Sequence, residues 1–206
     1  MNKPSSFQAR GVRRREVLIR ACRELLAEQH VGTFGLAEVA AAAGVPKTSV
    51  YHFFARIDDL LAAVAIEVAH DLVAWLDRPM SGPFAGWPDV VIAFVEAGRD
   101  FYAQHRDALA IQLGPFTPAD IKTRDRDNDM TVGRLLKAAI GAHFVLPEVP
   151  DSDGVFFRAI EIADLMFMLS VRAHDRLDAF HVTEAARAAI AYLGLYLPPL
   201  LPPAPA

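Results

Sequence analysis

LAEVAAAAGVPKTSVYHFF, running from Leu36 to Phe54, reads as two short helices joined by a tight turn. Leu36, Val39, Ala40 and Ala43 recur at i, i+3, i+4 and i+7, which places them on one face of a helix. Gly44 ends that helix, because a residue without a Cβ accepts the left-handed backbone that closes a helical C-terminus. Pro46 restarts the chain: its fixed φ suits the beginning of a new helix, and it pushes Val45 into an extended conformation. Helix, sharp turn and helix within so few residues are the signature of a helix-turn-helix unit.

The second helix carries Lys47, Thr48, Ser49, Tyr51 and His52 where an ordinary amphipathic helix has a bland solvated face. Lysine and hydroxyl side chains there can bond base edges or phosphates in a major groove, and the Tyr51 hydroxyl suits a phosphate contact. Arg13, Arg14 and Arg15, just upstream, supply attraction to a polyanionic backbone.

The charge is divided accordingly. The 206 residues carry a net charge of −4, yet residues 1–60 hold nine of the 21 basic and six of the 25 acidic residues, a net of +3, which leaves −7 on the rest. An acidic body with a basic end docks on a polyanion in one orientation.

Outward from the core stretch, a first helix is expected to follow the arginines and run to about Gln29. Its apolar face is Leu18, Ala21, Cys22, Leu25 and Leu26. Cys22, the one cysteine, reads as a small buried hydrophobe, and no disulfide within the chain is possible. Ile57, Leu61, Val64 and Val68 predict a fourth helix over about 58–77. The loop RPMSGPFAGW (78–87) precedes a helix from Pro88 to about His105, and a short helix spans 107–113. Thr117 and Pro118 read as the start of the next helix, and the charged run 120–129 reads as a solvated face.

A helix from Ser152 or Asp153 to about Leu177 has an almost wholly apolar middle, AIEIADLMFMLSV, and must be buried on more than one side. A last helix is expected from Glu184 to Leu197 with Thr183 as its cap, followed by a disordered, polyproline-like tail at 198–206. No stretch alternates with period two, so the fold is expected to be all-α with roughly nine helices. Prolines interrupt the charge-free run 188–206 well short of the ~20 helical residues a bilayer needs, so no membrane span is expected.

The stretch from about Arg13 to Val64 resembles the N-terminal DNA-binding domain of TetR-family regulators. The resemblance lies in Val39-Ala40-Ala41-Ala42-Ala43-Gly44-Val45-Pro46 followed in register by Tyr51, Phe54, Leu60 and Leu61. Three positions depart from the family pattern. Pro46 replaces the usual Ser or Thr, Gly35 the hydroxyl residue before Leu36, and Ile57 the lysine at the start of the fourth helix, which Arg56 would have to replace.

The resemblance implies a three-helix DNA-binding domain at 1–56 and a helical ligand-binding and dimerisation domain at 57–197. It also implies a homodimer on double-stranded DNA, and a small-molecule effector that releases a repressor from a palindromic operator; the single cysteine suits a reducing cytoplasm. Trp75, Trp87, Phe94, Phe101, Tyr102, Phe116 and Phe167 offer surface for a largely apolar effector, with Asp164 and His174 as polar exceptions that could orient it. No cofactor, metal or enzymatic activity is expected. The alternative is a helical ligand-binding protein or enzyme that keeps the helix-turn-helix as scaffold. That reading lacks a catalytic constellation: the seven histidines form no H-x-x-x-H pair, and G-x-S-x-G and Walker motifs are absent.

Overall fold

The computed structural model describes the backbone of residues 6–115 and 119–205, and the side chains of 11–115 and 128–205. Among the described residues the regular structure is helical: α1 (Ser6–Glu28), α2 (Leu36–Ala42), α3 (Lys47–Phe53), α4 (Ile57–Leu76), α5 (Trp87–Gln104), α6 (Arg106–Ala108), α7 (Ala119–Gly141), α8 (Ser152–His174) and α9 (Ala179–Leu193). A wide π-helical turn, Leu109–Leu113, prolongs α6.

The first four helices pack around Leu18, Cys22, Val39, Val50, Leu60 and Val64, all essentially out of water. The arginines expected to precede α1 lie inside it, as befits residues of high helix propensity. In the rest of the chain α8 packs chiefly on α7 and α9, α4 on α7, and α5 on α9. The approach of α7 to α8 depends on Gly133: a Cβ there would sit 2.8 Å from the Phe157 amide nitrogen.

Three expectations about the C-terminal half change. Helix α8 stops at His174, three residues early, because Asp175 takes the left-handed conformation (φ 54°) and its N–H closes the helix on the Val171 carbonyl at 2.8 Å. Helix α9 begins at Ala179, with Asp178 as the cap that accepts the His181 N–H at 3.1 Å. Thr183 is a turn inside, its hydroxyl donating back to the Ala179 carbonyl. Leu193 ends the helix, and one further turn carries Leu197 into the core.

The proline-rich segment expected to be disordered is docked instead. The Trp87 indole N–H donates to the Pro198 carbonyl (2.9 Å) and the Val145 N–H to the Pro202 carbonyl (2.8 Å), while the Ala204 N–H donates to His143 (2.8 Å). Prolines cannot donate, but their carbonyls in an extended chain accept from any donor alongside, and that is how residues 198–204 are held. The expected helix start at Thr117 and Pro118 lies outside the described residues.

Candidate functional site

Helix α3 is presented by local rules. At the end of α2 the Val45 N–H bonds the Ala40 carbonyl (3.0 Å) and the Gly44 N–H bonds Ala41 (3.1 Å), with Gly44 at φ 64°. This is the Schellman closure, and it requires the left-handed residue that Gly44 supplies. Pro46 stands one position before α3, and its carbonyl takes the Ser49 N–H at 2.8 Å. No side chain caps α3. At the other end of α2, Gly35 lacks a side chain, but its N–H donates to the Glu38 carboxylate at 2.9 Å. That bond holds the Glu38 carboxyl below the usual carboxylate range.

Val50 and Phe54 turn α3 inward. Lys47, Thr48, Tyr51 and His52 therefore face water, with Ser49 half-buried, and Tyr51 is 58% exposed, which no packing role accounts for. The structure thus brings these five together on one short helix.

Arg13 and Arg14 are exposed on α1. Arg15 is partly committed, since its guanidinium lies over the Phe54 ring at 5.4 Å and ties α1 to the end of α3. Ile57 packs against the core, and the adjacent Arg56 pairs with Asp58, so a cation is present near this position but already has a carboxylate partner.

One ion cluster joins α1 to α4 and α6. Arg23 of α1 donates from Nε to Asp107 of α6 at 2.5 Å and from Nη1 to Asp71 of α4 at 2.8 Å, with Glu67 at 3.9 Å. Burial disfavours the charge of Arg23, but the bonds to Asp107 and Asp71 outweigh it and raise its pKa. Sequence reading missed this cluster, because Arg23 and Asp107 are 84 residues apart.

A cleft opens between four helices. Leu72 and Leu76 come from α4, Phe94, Val95, Gly98 and Tyr102 from α5, Asp129 and Val132 from α7, and Ile160, Ala163, Asp164 and Phe167 from α8. Its walls are apolar except for the two carboxyl groups and the Tyr102 hydroxyl, which donates to Gln112 at 3.3 Å. Its cavity volume is ≈ 40 Å³, so a ligand of drug size requires the helices to part.

Of the expected lining residues, Phe94, Tyr102, Asp164 and Phe167 are here. Trp75 lies elsewhere, half-buried under the Arg78 guanidinium with its indole N–H on the Ala97 carbonyl at 3.0 Å. Trp87 anchors the C-terminal segment, and Phe101 is fully buried against Trp75 and His105. His174 is at the far end of α8, and Phe116 lies outside the described residues.

Asp129, within the run read as a solvated face, is 8% exposed and belongs to the cleft wall. The signal that could have found it is its spacing from Val132 and Leu136, which continue the buried face of α7.

Comparison with known proteins agrees with this geometry. Residues 18–64 match the family of bacterial regulatory proteins, tetR family. None of the curated protein sequences matches the chain significantly.

Solved structures match nearly its whole length. A TetR-family transcriptional regulator from Streptomyces coelicolor superposes with a TM-score of 0.68 at 24% identity, over 89% of this chain and 99% of that one. A TetR transcriptional regulator from Rhodococcus sp. RHA1 gives 0.61 at 18%, over 90% and 97%. SmeT, the repressor of the Stenotrophomonas maltophilia multidrug efflux pump SmeDEF, gives 0.57 at 18%, over 89% and 90%. At these identities the structures establish a common fold.

Proposed function

We propose that this chain, a TetR-family transcriptional regulator by the domain at residues 18–64, is a ligand-released repressor that binds a palindromic operator as a homodimer in the cytoplasm. The observation that carries the reading is α3 itself: a helix locked in place by Gly44 and anchored by Val50, with Lys47, Thr48, Tyr51 and His52 turned outward. These residues and Ser49 read the major groove, and Arg13, Arg14 and Arg15 attract the phosphate backbone.

Residues 1–56 form the DNA-reading domain and 57–197 the ligand-binding and dimerisation domain. Helix α4 connects them: it packs on α1, with Leu60, Leu61 and Val64 buried near its start, while Leu72 and Leu76 line the cleft. A small, largely apolar effector that parts the cleft walls therefore displaces α4, and with it α3. Favouring the displaced state requires a differential affinity of only ~1–3 kcal/mol. SmeT, which shares the fold, is a repressor.

Dimerisation through α8 and α9 is supported by Leu165 of α8 and Phe180 of α9, large apolar side chains that are 47% and 68% exposed. Among the described residues, no helix is long and apolar enough to cross a membrane.

The test is an electrophoretic mobility shift on the DNA flanking the protein's own gene, carried through a salt series. A regulator gives sequence-selective complexes that weaken steeply with salt. Lys47→Ala and Tyr51→Ala should each weaken them markedly, and unchanged affinity in both would remove α3 from the interface. Phe180→Asp should leave a monomer in sedimentation, and a dimer that persists would place the interface elsewhere.

A further inference from the structure

We propose that His174, Asp178 and His181 form a binding site for a divalent transition-metal ion of the zinc class, where α8 turns into α9. The three residues belong to different parts of the turn. His174 is the last residue of α8, Asp178 caps α9, and His181 lies in the first turn of α9. The left-handed backbone at Asp175 reverses the chain between them and brings their side chains onto one another.

Asp178 Oδ2 is 2.7 Å from His181 Nδ1 and 3.5 Å from His174 Nε2, and the three donor atoms lie within 4.8 Å of one another. Metal–nitrogen and metal–oxygen bonds of ~2.0–2.2 Å in a tetrahedral site put neighbouring donors roughly 3.3–3.6 Å apart. The His174–Asp178 distance already meets that requirement. Side-chain rotation alone has to widen the short pair and close the long one.

Two imidazoles and one carboxylate are the donor set that suits zinc and its neighbours, whereas calcium and magnesium require oxygen donors throughout. His174 is half exposed, which leaves an approach for the ion and room for water as a further ligand.

The surroundings of Asp178 argue for a prepared ligand. Its backbone N–H donates to Ser170 Oγ at 2.9 Å, and the Ser170 hydroxyl lies 2.8 Å from Oδ2. Oδ1 takes the His181 amide at 3.1 Å. Ser170 is fully buried, so the carboxylate is oriented by the fold and not by the ion. Without an ion, His181 Nδ1 bonds Oδ2 directly. With one, Nδ1 gives its lone pair to the metal and the ring proton resides on Nε2.

An ordinary capping pair explains His181 and Asp178. It does not explain His174, which points at the same oxygen from the other helix at a distance long for a hydrogen bond. The spacing H-x3-D-x2-H spans a helix break, which is why a search for histidine pairs on one helix passes over it.

The site is tested with the full chain, free of any histidine tag, titrated with Co(II) and followed by visible absorption, with Zn(II) as competitor. The expected result is one saturable site per chain. His174→Ala, His174→Gln and His181→Ala should each weaken binding about tenfold or more, and Ser170→Ala about 10–100-fold by releasing the carboxylate. His70→Ala, on the exposed side of α4, should bind as the unaltered protein does. Circular dichroism establishes that each variant is folded. Absence of saturable binding, or equal binding by the unaltered protein and both folded His174 variants, would overturn the proposal.

Discussion

Replacing Arg23 with methionine tests how α1, on which α2 packs, is tied to α4 and α6. Its two strong bonds are unequal. The bond to Asp71 is bathed in solvent, the aspartate side chain being 47% exposed, and exposed pairs contribute ~0.2–1 kcal/mol. The bond to Asp107 is nearly dry, with the aspartate side chain 11% and the arginine 23% exposed. A charge-assisted hydrogen bond in such a place is worth ~1.5–3 kcal/mol.

Arg23→Met keeps the aliphatic stem but leaves Asp107 buried without its cation, so the expected loss is about 2–4 kcal/mol. Urea unfolding followed by circular dichroism measures it. In the double variant Arg23→Met/Asp107→Leu no charge is left stranded, and most of the loss should be recovered. The coupling energy of the cycle should therefore be about 1.5–3 kcal/mol, while Asp71→Asn alone costs less than about 1 kcal/mol. A loss within ~0.5 kcal/mol for Arg23→Met, or additive single effects, would refute the reasoning.

Gly44→Ala should destabilise the fold by ~1–2 kcal/mol through backbone strain alone, since an added Cβ meets no atom within 4 Å. Gly44→Asn should cost less in the same urea titration, because asparagine tolerates the left-handed conformation. Glu38, its carboxyl held low chiefly by the Gly35 N–H, contributes stability that is complete well above ~4.3, the ordinary value for glutamate, and is lost as the pH falls through its depressed pKa. Glu38→Gln should therefore flatten the acid side of the stability profile and leave its alkaline side unchanged. The Cys22 thiol is fully buried and pushed up to about 12 by that burial, so a chromogenic disulfide reagent at pH 8 should fail to label it until denaturant is added.

The helix-turn-helix unit was legible in the sequence because its determinants are local. Gly44 and Pro46 fix where two helices stop and start, and the apolar spacing of Leu36, Val39 and Ala40 fixes which side is buried. The cleft was legible only in part. Aromatic character does not separate a pocket wall from a core: Trp87 is held by a carbonyl 111 residues away, and Phe94 faces the cleft. Charge was equally ambiguous at Asp129, which belongs by sequence to a charged run and by helical phase to the buried face of α7.

The end of the chain illustrates a different limit. Thr183 reads as the cap from the sequence, but the cap is Asp178, five residues earlier, and its interaction with Ser170, on a different helix, is not visible in local propensity. Likewise the proline content of the last residues excludes a helix, but it does not exclude docking when Trp87 and Val145 offer donors.

The central claim is that α3 reads DNA as one of a symmetric pair. Selection from a random duplex library with the full-length protein tests it most directly. The account predicts enrichment of an inverted repeat whose half-site centres are about one helical turn, ~34–36 Å, or a multiple of it apart. It further predicts that Lys47→Ala and Tyr51→Ala abolish the enrichment. No enrichment over the input library, or the same enriched sequence from both variants, would contradict it.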